Sequence, residues 1–317
     1  MSVYTKVNSD QLKVFLQRYN IGELVNHTGI SAGITNTNYS VETTAGEFIL
    51  TLYEHHNESA LGYILGLQHH LADKQVACAA PVGDSEGFLY SRLNQRSTAI
   101  INRIPGTSCN APSTHHCALI GAELARFHIA GYDYAARRNN PCGLDWYVVM
   151  AKKLDPVLND SDRLLLHEEI DIYLKYPFTS LPQGSIHADL FHDNALFDGD
   201  RLGGIIDFDY ACYGTLIYDL AVIMNDWCLF DDGQLDPLRV DSLLQAYHRL
   251  RPLDDRERQT LPLMLRVGAL RFWLSRLNDL KFPLPGELTF TKNPDEFRDM
   301  LVLRRDSLSV GPNSFGQ

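Results

Sequence analysis

The sequence predicts an α+β chain in two lobes: a small, antiparallel β-rich lobe over 1–104 and a larger, mainly helical lobe over 105–317. Three observations carry this expectation. Period-two apolar runs crowd the first hundred residues, and helical periods dominate the second half. Between them "NRIPGTSCNAPST" has Pro and Gly and no periodicity, which places a connector near 102–112. A chain of 317 residues, 45% of them hydrophobic, is large enough to bury a substantial core.

The elements follow in order. "VNSDQLKVFLQRY" spaces Val7, Leu12, Phe15, Leu16 and Tyr19 as a short amphipathic helix, with Ser9 or Asp10 as its N-cap. "NYSVETTAGEFILTLYE" alternates and turns at Ala45-Gly46, as a hairpin does. "ALGYILGLQHHLADKQ" returns to helical spacing through Leu61, Ile64, Leu65, Leu67 and Leu71. "GFLYSRL" and "STAIINRI" read as two further strands joined at Asn94-Gln95. Past the connector, "STHHCALIGAELARFHIAG" opens on a Ser/Thr cap and repeats apolar residues at Cys117, Ile120, Leu124 and Phe127. "DLAVIMNDWCLF", "VDSLLQAYHRL" and "LMLRVGALRFWLSRLNDL" are helical as well. The segment around residues 186–209 is the one β-like island of this lobe, and the polar "SLSVGPNSFGQ" at the C-terminus reads as frayed.

Composition narrows the function. A formal net charge of −11 without a basic stripe argues against nucleic acid as a partner. The six cysteines are scattered without a CxxC pair, which argues against a structural zinc site and does not make a disulfide framework. "MSVYTKVNSDQLKVFLQRYN" lacks the pattern of a signal peptide, and no stretch reaches the roughly 18 apolar residues of a membrane span. These features lead us to expect a soluble cytoplasmic protein.

"IHADLFHDNALFDGDRLGGIIDFD", Ile186 to Asp209, carries six aspartates between apolar runs. Carboxylates are rarely buried and repel one another when crowded. "NALF" and "LGGIID" flank "DGDR", and Asp-Gly is a turn signal, so the segment reads as a hairpin. With a loop at 198–201, Phe197 opposes Leu202 and Asn194 opposes Ile205. Asp207 then lies two positions on, and diagonal neighbours sit roughly 7–8 Å apart. Two oxygen side chains at that separation suit Mg²⁺, a hard cation often held by one or two carboxylates plus phosphate oxygens. Asn194 and Asp207 are therefore the candidate metal ligands.

Asp189 completes a pattern, His187-x-Asp189-x-x-x-x-Asn194. In protein kinases H-R-D-x-x-x-x-N supplies the base that accepts the acceptor hydroxyl's proton and an Asn that holds metal, and the Asp of a following D-F-G holds the other metal. Here "IDFD" follows, with Asp209 in the glycine's place. Asp189 is the candidate catalytic base. Asp198, Asp200, Asp193 and His192 read as loop residues, and His187 as a buried histidine bonded to backbone.

At these residues the chain resembles the aminoglycoside phosphotransferase–choline kinase group, within the protein-kinase-like fold. It resembles more closely the bacterial homoserine kinases of that group, through "MSVYTKV", "GISAGITNTNYSVETTAGEFILTLYE", "HADLFHDNALF", "IDFDYACYG", "YDLAVIMNDWC" and "ALRFWLSRL". The resemblance implies ATP and Mg²⁺ as cofactors and L-homoserine as the acceptor, phosphorylated on its hydroxyl in threonine biosynthesis. It implies that "GITNTNY", with Gly33, Thr35, Asn36 and Asn38, covers the ATP phosphates. It implies that Ile101, Asn102 and Ile104 of "INRI" line the adenine connector, and that Asp219 of "YDLA" braces the catalytic loop. One departure stands out: Thr51 occupies the place of the third-strand lysine that pairs with the phosphates in kinases. The alternatives are the same chemistry on choline, an aminoglycoside or another alcohol, and a catalytically inactive binding module, which the missing lysine favours.

Homoserine carries a carboxylate, an ammonium and a hydroxyl. Arg suits the carboxylate because its planar fork bonds both oxygens. Arg266, Arg271 and Arg276 are spaced by five, so successive positions rotate by about 140° and cannot all face one pocket. Arg271, beside Phe272 and Trp273, is the candidate for the carboxylate and Asp226 for the ammonium. The bland alternative is that Arg271 and Asp226 pair with each other.

Overall fold

The computed structural model describes residues 5–30, 35–176, 178–283 and 292–308. Gly33, expected in the loop over the phosphates, lies outside them, as does the expected frayed tail beyond Leu308.

The chain runs α1 (Ser9–Leu16), β1 (Leu24–Ile30), β2 (Thr37–Thr43), β3 (Gly46–Tyr53), α2 (Glu58–Asp73), β4 (Ser91–Leu93), β5 (Arg96–Asn102), β6 (Thr107–Ser108) and α3 (Thr114–Ala130). It continues with α4 (Leu144–Leu154), α5 (Asp160–Lys175), β7 (Gln183–Ile186), β8 (Ala195–Asp198), β9 (Arg201–Ile205) and β10 (Cys212–Thr215). The last elements are α6 (Ile217–Trp227), α7 (Pro237–Leu250), α8 (Asp255–Lys281) and α9 (Asp295–Leu308). β1 to β5 form one antiparallel sheet in the order β1-β2-β3-β5-β4. Among the described residues no helix is long and apolar enough to cross a membrane.

Local chemistry explains the ends of these elements. α1 is capped by Asn8, one residue before the expected Ser9: its side chain accepts from Gln11 N–H while Gln11 reaches back to Asn8 N–H. Ser113 caps α3, as its Ser/Thr signal suggests. The β2–β3 turn is Thr44-Ala45, one residue earlier than expected, since Thr43 pairs with Gly46. Asn94-Gln95 does join β4 to β5, and both take positive φ (48° and 66°), the geometry of a tight twisted hairpin turn.

The segment at 186–209 is not the only β structure of the helical lobe. β7 pairs with β10, and β6, from the expected connector, pairs with β8 beside β9. Gly106 permits that pairing: its φ is +102°, and a Cβ there would meet Phe197 O at 2.2 Å. Short strands such as "QGSI" and "CYGT" lack the length that makes a period-two pattern visible.

α2 joins the two parts. Leu61 and Leu65 pack with Tyr53, Ala79, Ala99 and Ile101 against the sheet, whereas Tyr63, Ile64, Leu67 and Leu71 belong to the large helical core. The chain after α2 then bonds to β9 by backbone, Ala79 N–H to Ile205 O (2.8 Å) and Ile205 N–H to Ala77 O (2.9 Å). The large core centres on α3, α6 and α8, with Trp227 and Trp273 fully buried.

Inside that core lies a polar chain. Tyr247 Oη on α7 donates to His128 Nδ1 on α3 (2.7 Å), and His128 Nε2 donates to Asp219 Oδ2 on α6 (3.1 Å). Burial holds His128 below its ordinary pKa, so the ring stays neutral. A buried neutral histidine couples stability to pH. Below about 6.5 the unfolded chain takes up a proton that the fold refuses, so this contribution is complete above that pH and lost as pH falls. His128→Gln keeps a donor for Asp219 without the titration. We expect its stability to depend less steeply on pH between 7.5 and 5.5 than the wild type's, by up to about 1.4 kcal/mol per pH unit. Urea-melt midpoints across that range measure this, and parallel curves for the two proteins would contradict it.

Candidate active site

The residues singled out from the sequence converge where β7, the β8–β9 hairpin and the start of α6 meet. Asp219, with no exposed surface, accepts His187 N–H on Oδ2 (2.8 Å) and Ala188 N–H on Oδ1 (2.7 Å). Ala188 has φ +65°, a conformation that L-residues with a Cβ seldom adopt. The carboxylate thus holds a strained turn immediately before Asp189. His187 is fully buried and kept neutral by burial, and its Nε2 meets Ile206 O at 2.9 Å, which ties the catalytic loop to the strand leading into Asp207.

Beyond Asp189 the chain makes one 3₁₀ turn, His192–Asn194. Asn194 Nδ2 donates to Asp189 O at 2.8 Å. This fixes the amide by its nitrogen and turns its side-chain oxygen away from that bond. The hairpin register differs from the expected one. Phe197 opposes Leu202, as anticipated, but Ala195, not Asn194, opposes Ile205. The cause is a bulge past Leu196 at Gly203, where a Cβ would meet Pro105 O at 2.4 Å. Asn194 still reaches the metal strand, because its carbonyl accepts Ile206 N–H (2.9 Å), one residue before Asp207.

Asp207 also has positive φ, +61°. Its carboxyl is pushed well above the usual range, first by burial and then by Asp209 and Asp189. Asp189 is raised to about 6 by burial, with Arg271 pulling the other way and Asp193 and Asp209 adding to the rise. Crowded carboxylates with raised pKa values are a site that gains from a cation. The donors fit Mg²⁺: one carboxylate and one amide oxygen, both hard, with space for phosphate oxygens and water. Among the described residues no group of three or more His, Cys, Asp or Glu forms a metal cluster, so Asn194 and Asp207 would hold the ion jointly with a nucleotide's phosphates.

Arg271 brings a cation to Asp189. It is 4% exposed, and its Nη1 lies 3.4 Å from Asp189 Oδ1. Its guanidinium carbon sits 4.5 Å from the Tyr210 ring centroid and 4.0 Å from that of Phe272. The expected alternative, a pair between Arg271 and Asp226, is not what forms. Asp226 Oδ2 accepts His192 N–H (2.6 Å) and meets His192 Nδ1 (2.7 Å), and this partner raises the His192 pKa. Arg266 is drawn to Glu169 (2.6 Å) and Arg276 to Glu296 (2.6 Å), so of the three arginines Arg271 alone reaches the catalytic loop.

On the nucleotide side, Asn36 Nδ2 donates to Asp209 Oδ2 at 2.8 Å, across 173 residues of sequence. Thr51 is buried and donates through Oγ1 to Asn38 Oδ1 (2.9 Å), its cross-strand neighbour. Thr35 is exposed beside them. Ile101 and Asn102 close β5, where Asn102 N–H donates to Ala80 O (2.9 Å), and Ile104 lies just beyond. Sequence reading missed Arg138, which donates to Asp209 O (2.7 Å) and Ala211 O (2.8 Å) and so braces the loop after Asp207. It also missed Tyr210 and Cys142 around Arg271; the only signal was the proximity of Tyr210 to "IDFD".

Comparison with known proteins agrees with this geometry. Residues 26–253 match the phosphotransferase enzyme family model, APH. A homoserine kinase of Methylobacillus flagellatus is 45% identical over 99% of this chain and 100% of its own length. A homoserine kinase of Methylobacillus glycogenes is 42% identical over 95% of each. The solved amicoumacin kinase hAmiN, in complex with AMP-PNP, Ca²⁺ and Ami, superposes with a TM-score of 0.72 at 17% identity, covering 97% of this chain and 95% of that one, a likeness of fold. With a two-lobed kinase-like fold, an aspartate–asparagine–aspartate site and a family match across most of its length, the chain belongs to the phosphotransferase enzyme family.

Proposed function

We propose that this chain transfers the γ-phosphoryl of ATP to the hydroxyl of L-homoserine, giving O-phosphohomoserine and ADP in the cytoplasm, as a step of threonine biosynthesis. The observation that carries the reading is a proton acceptor, Asp189, beside a buried cation, Arg271, 3.4 Å away. An acceptor that brings a hydroxyl and a carboxylate to one wall needs both. Choline and aminoglycosides have no carboxylate, and the relatives that match nearly full length are named homoserine kinases. An inactive module gains nothing from a buried, strained loop aimed at Asp189.

Asp189 orients the acceptor hydroxyl and takes its proton as the oxygen bonds to the γ-phosphorus and the bond from that phosphorus to the β-bridging oxygen breaks. Arg271 stays charged and offers its fork to the acceptor carboxylate while keeping Asp189 from being lost to protonation. Asn194 and Asp207 would hold Mg²⁺, which supplies neutralisation of charge on the β- and γ-phosphates. Thr35, Asn36, Asn38 and Thr51 lie on the hairpin that faces those phosphates, with Gly33 in the same loop by sequence, and Ile101, Asn102 and Ile104 serve the adenine. Asp226 positions the turn that carries Asn194 through Oδ2, bonded to His192, and keeps its other oxygen for the acceptor ammonium.

The reading is tested by ADP release across L-homoserine, choline, an aminoglycoside and methylthioribose. Homoserine should dominate, and a flat response across the panel would end the assignment. Asp189→Asn should lower turnover by about 10²–10⁴, with ATP affinity little changed. The acid limb of the wild-type kcat/KM profile should fall near pH 6, since the base works only when ionised. Asp189→Asn turnover within threefold of wild type would rule Asp189 out.

Asp207→Ala should abolish Mg²⁺-dependent nucleotide binding in calorimetry and Asn194→Ala should weaken it, with the fold kept in both. Undiminished binding by Asp207→Ala would remove the metal role. Arg271→Ala should raise KM for homoserine, leave KM for ATP alone and penalise homoserine far more than a carboxylate-free amino alcohol. Equal losses on both acceptors would make Arg271 a positioning residue for Asp189 only.

A further inference from the structure

Thr51 stands where kinases of this fold place a phosphate-binding lysine, and its hydroxyl is committed to Asn38. Nearby cations of the sheet lobe are engaged as well: Arg96 with Glu54 (2.8 Å), Arg92 with Glu58 (2.9 Å), Arg103 with Glu47 (2.9 Å) and Arg18 with Asp84 (2.9 Å). From the sheet lobe, His56 also faces the loop after Asp207. It sits at the corner between β3 and α2, one residue before Asn57, the N-cap of α2. Its Nε2 lies 3.4 Å from Asp209 Oδ1. That nitrogen is buried and has no hydrogen-bond partner among the described residues. The other oxygen of Asp209 accepts from Asn36 Nδ2 at 2.8 Å, and Asn36 Oδ1 is likewise buried and unpartnered among the described residues. Tyr53 packs edge-on to the His56 ring, with centroids 5.9 Å apart.

Two orphaned buried polar atoms therefore flank one carboxylate, two residues past a candidate metal ligand. A buried polar atom without a partner is costly, and native structures hold few. A ligand oxygen that accepts a hydrogen bond completes the His56 nitrogen, whereas Asn36 Oδ1, itself an acceptor, is completed by a donor or a cation.

We infer that His56, held against Asp209, takes the phosphate-binding place left open by Thr51 and donates from its ring to the α- or β-phosphate of the bound nucleotide. The inference rests on reading the chain as an ATP-dependent kinase and adds a residue to it. In kinases the strand lysine is paired with an acid on a helix of the same lobe. Here the acid comes from the metal loop and the donor from the sheet lobe, so the pair spans the cleft. Nε2 lies beside Asp209 without a hydrogen bond to it, so it is the ring nitrogen left to donate to a phosphate.

The test is calorimetric binding of MgATP, with adenosine as a competitor that has no phosphate, to the full-length wild type and to His56→Ala, His56→Leu and His56→Arg. The readout needs no acceptor. Loss of one hydrogen bond to a charged group predicts about ten- to hundredfold weaker MgATP binding in His56→Ala, with adenosine affinity unchanged and His56→Arg within about threefold of wild type. His56→Leu keeps the volume without an N–H and takes the place of the alanine variant should that one unfold. MgATP binding within twofold of wild type in either truncation, or equal losses for MgATP and adenosine, overturns the role of His56 and leaves the kinase reading intact. A wild type that binds no MgATP overturns both.

Discussion

Everything at the active site hangs from the buried carboxylate of Asp219. Four groups from three parts of the chain meet on its two oxygens or next to them: the backbone N–H groups of His187 and Ala188, the His128 ring and, behind it, Tyr247. An ionised acid with no exposed surface is tolerated only when its lone pairs are filled, and here three donors fill them. The same bonds that make Asp219 bearable hold Ala188 in a left-handed conformation. A residue held there costs on the order of 1–3 kcal/mol and persists only where its surroundings over-determine it. The core thus sets the direction in which Asp189 leaves the strand.

The second half of the site is tied to the first by backbone. His187 bonds to the carbonyl of Ile206, the Asn194 carbonyl accepts from the N–H of the same residue, and Arg138 grips the carbonyls of Asp209 and Ala211. Asp207, itself at positive φ, lies between these anchors. Asp189 and Asp207 therefore have a fixed separation before any ligand arrives, which is the preorganisation that phosphoryl transfer relies on.

Much of this was legible in the sequence, and the failures have physical causes. Asp-Gly announced the hairpin at 195–205, and the His-x-Asp spacing announced the loop before it. The register slipped by one because a glycine pair hid a bulge, and a bulge is fixed by what packs against it, here Pro105 O. Asn8 displaced Ser9 as a cap because Gln11, three residues on, completes the reciprocal pair. Asp226 and Arg271 showed the limit of composition: both looked suited to an amino-acid ligand, and only the three-dimensional neighbours, His192 for one and Asp189 for the other, separate them. His56 carried no signal at all, since its partner lies 153 positions away.

The stitch between the sheet lobe and β9 has a mechanical consequence. Hydrogen bonds at Ala77 and Ala79 grip Ile205, two residues from Asp207, and α2 is embedded in both cores. A free hinge at this seam would have to break backbone bonds and tear a helix from one of its two beds. The lobes consequently share stiffness, and a displacement of the sheet is transmitted along β9 to the metal loop with little slack. Entry and exit of a nucleotide then cannot rely on a swing of whole lobes about this seam.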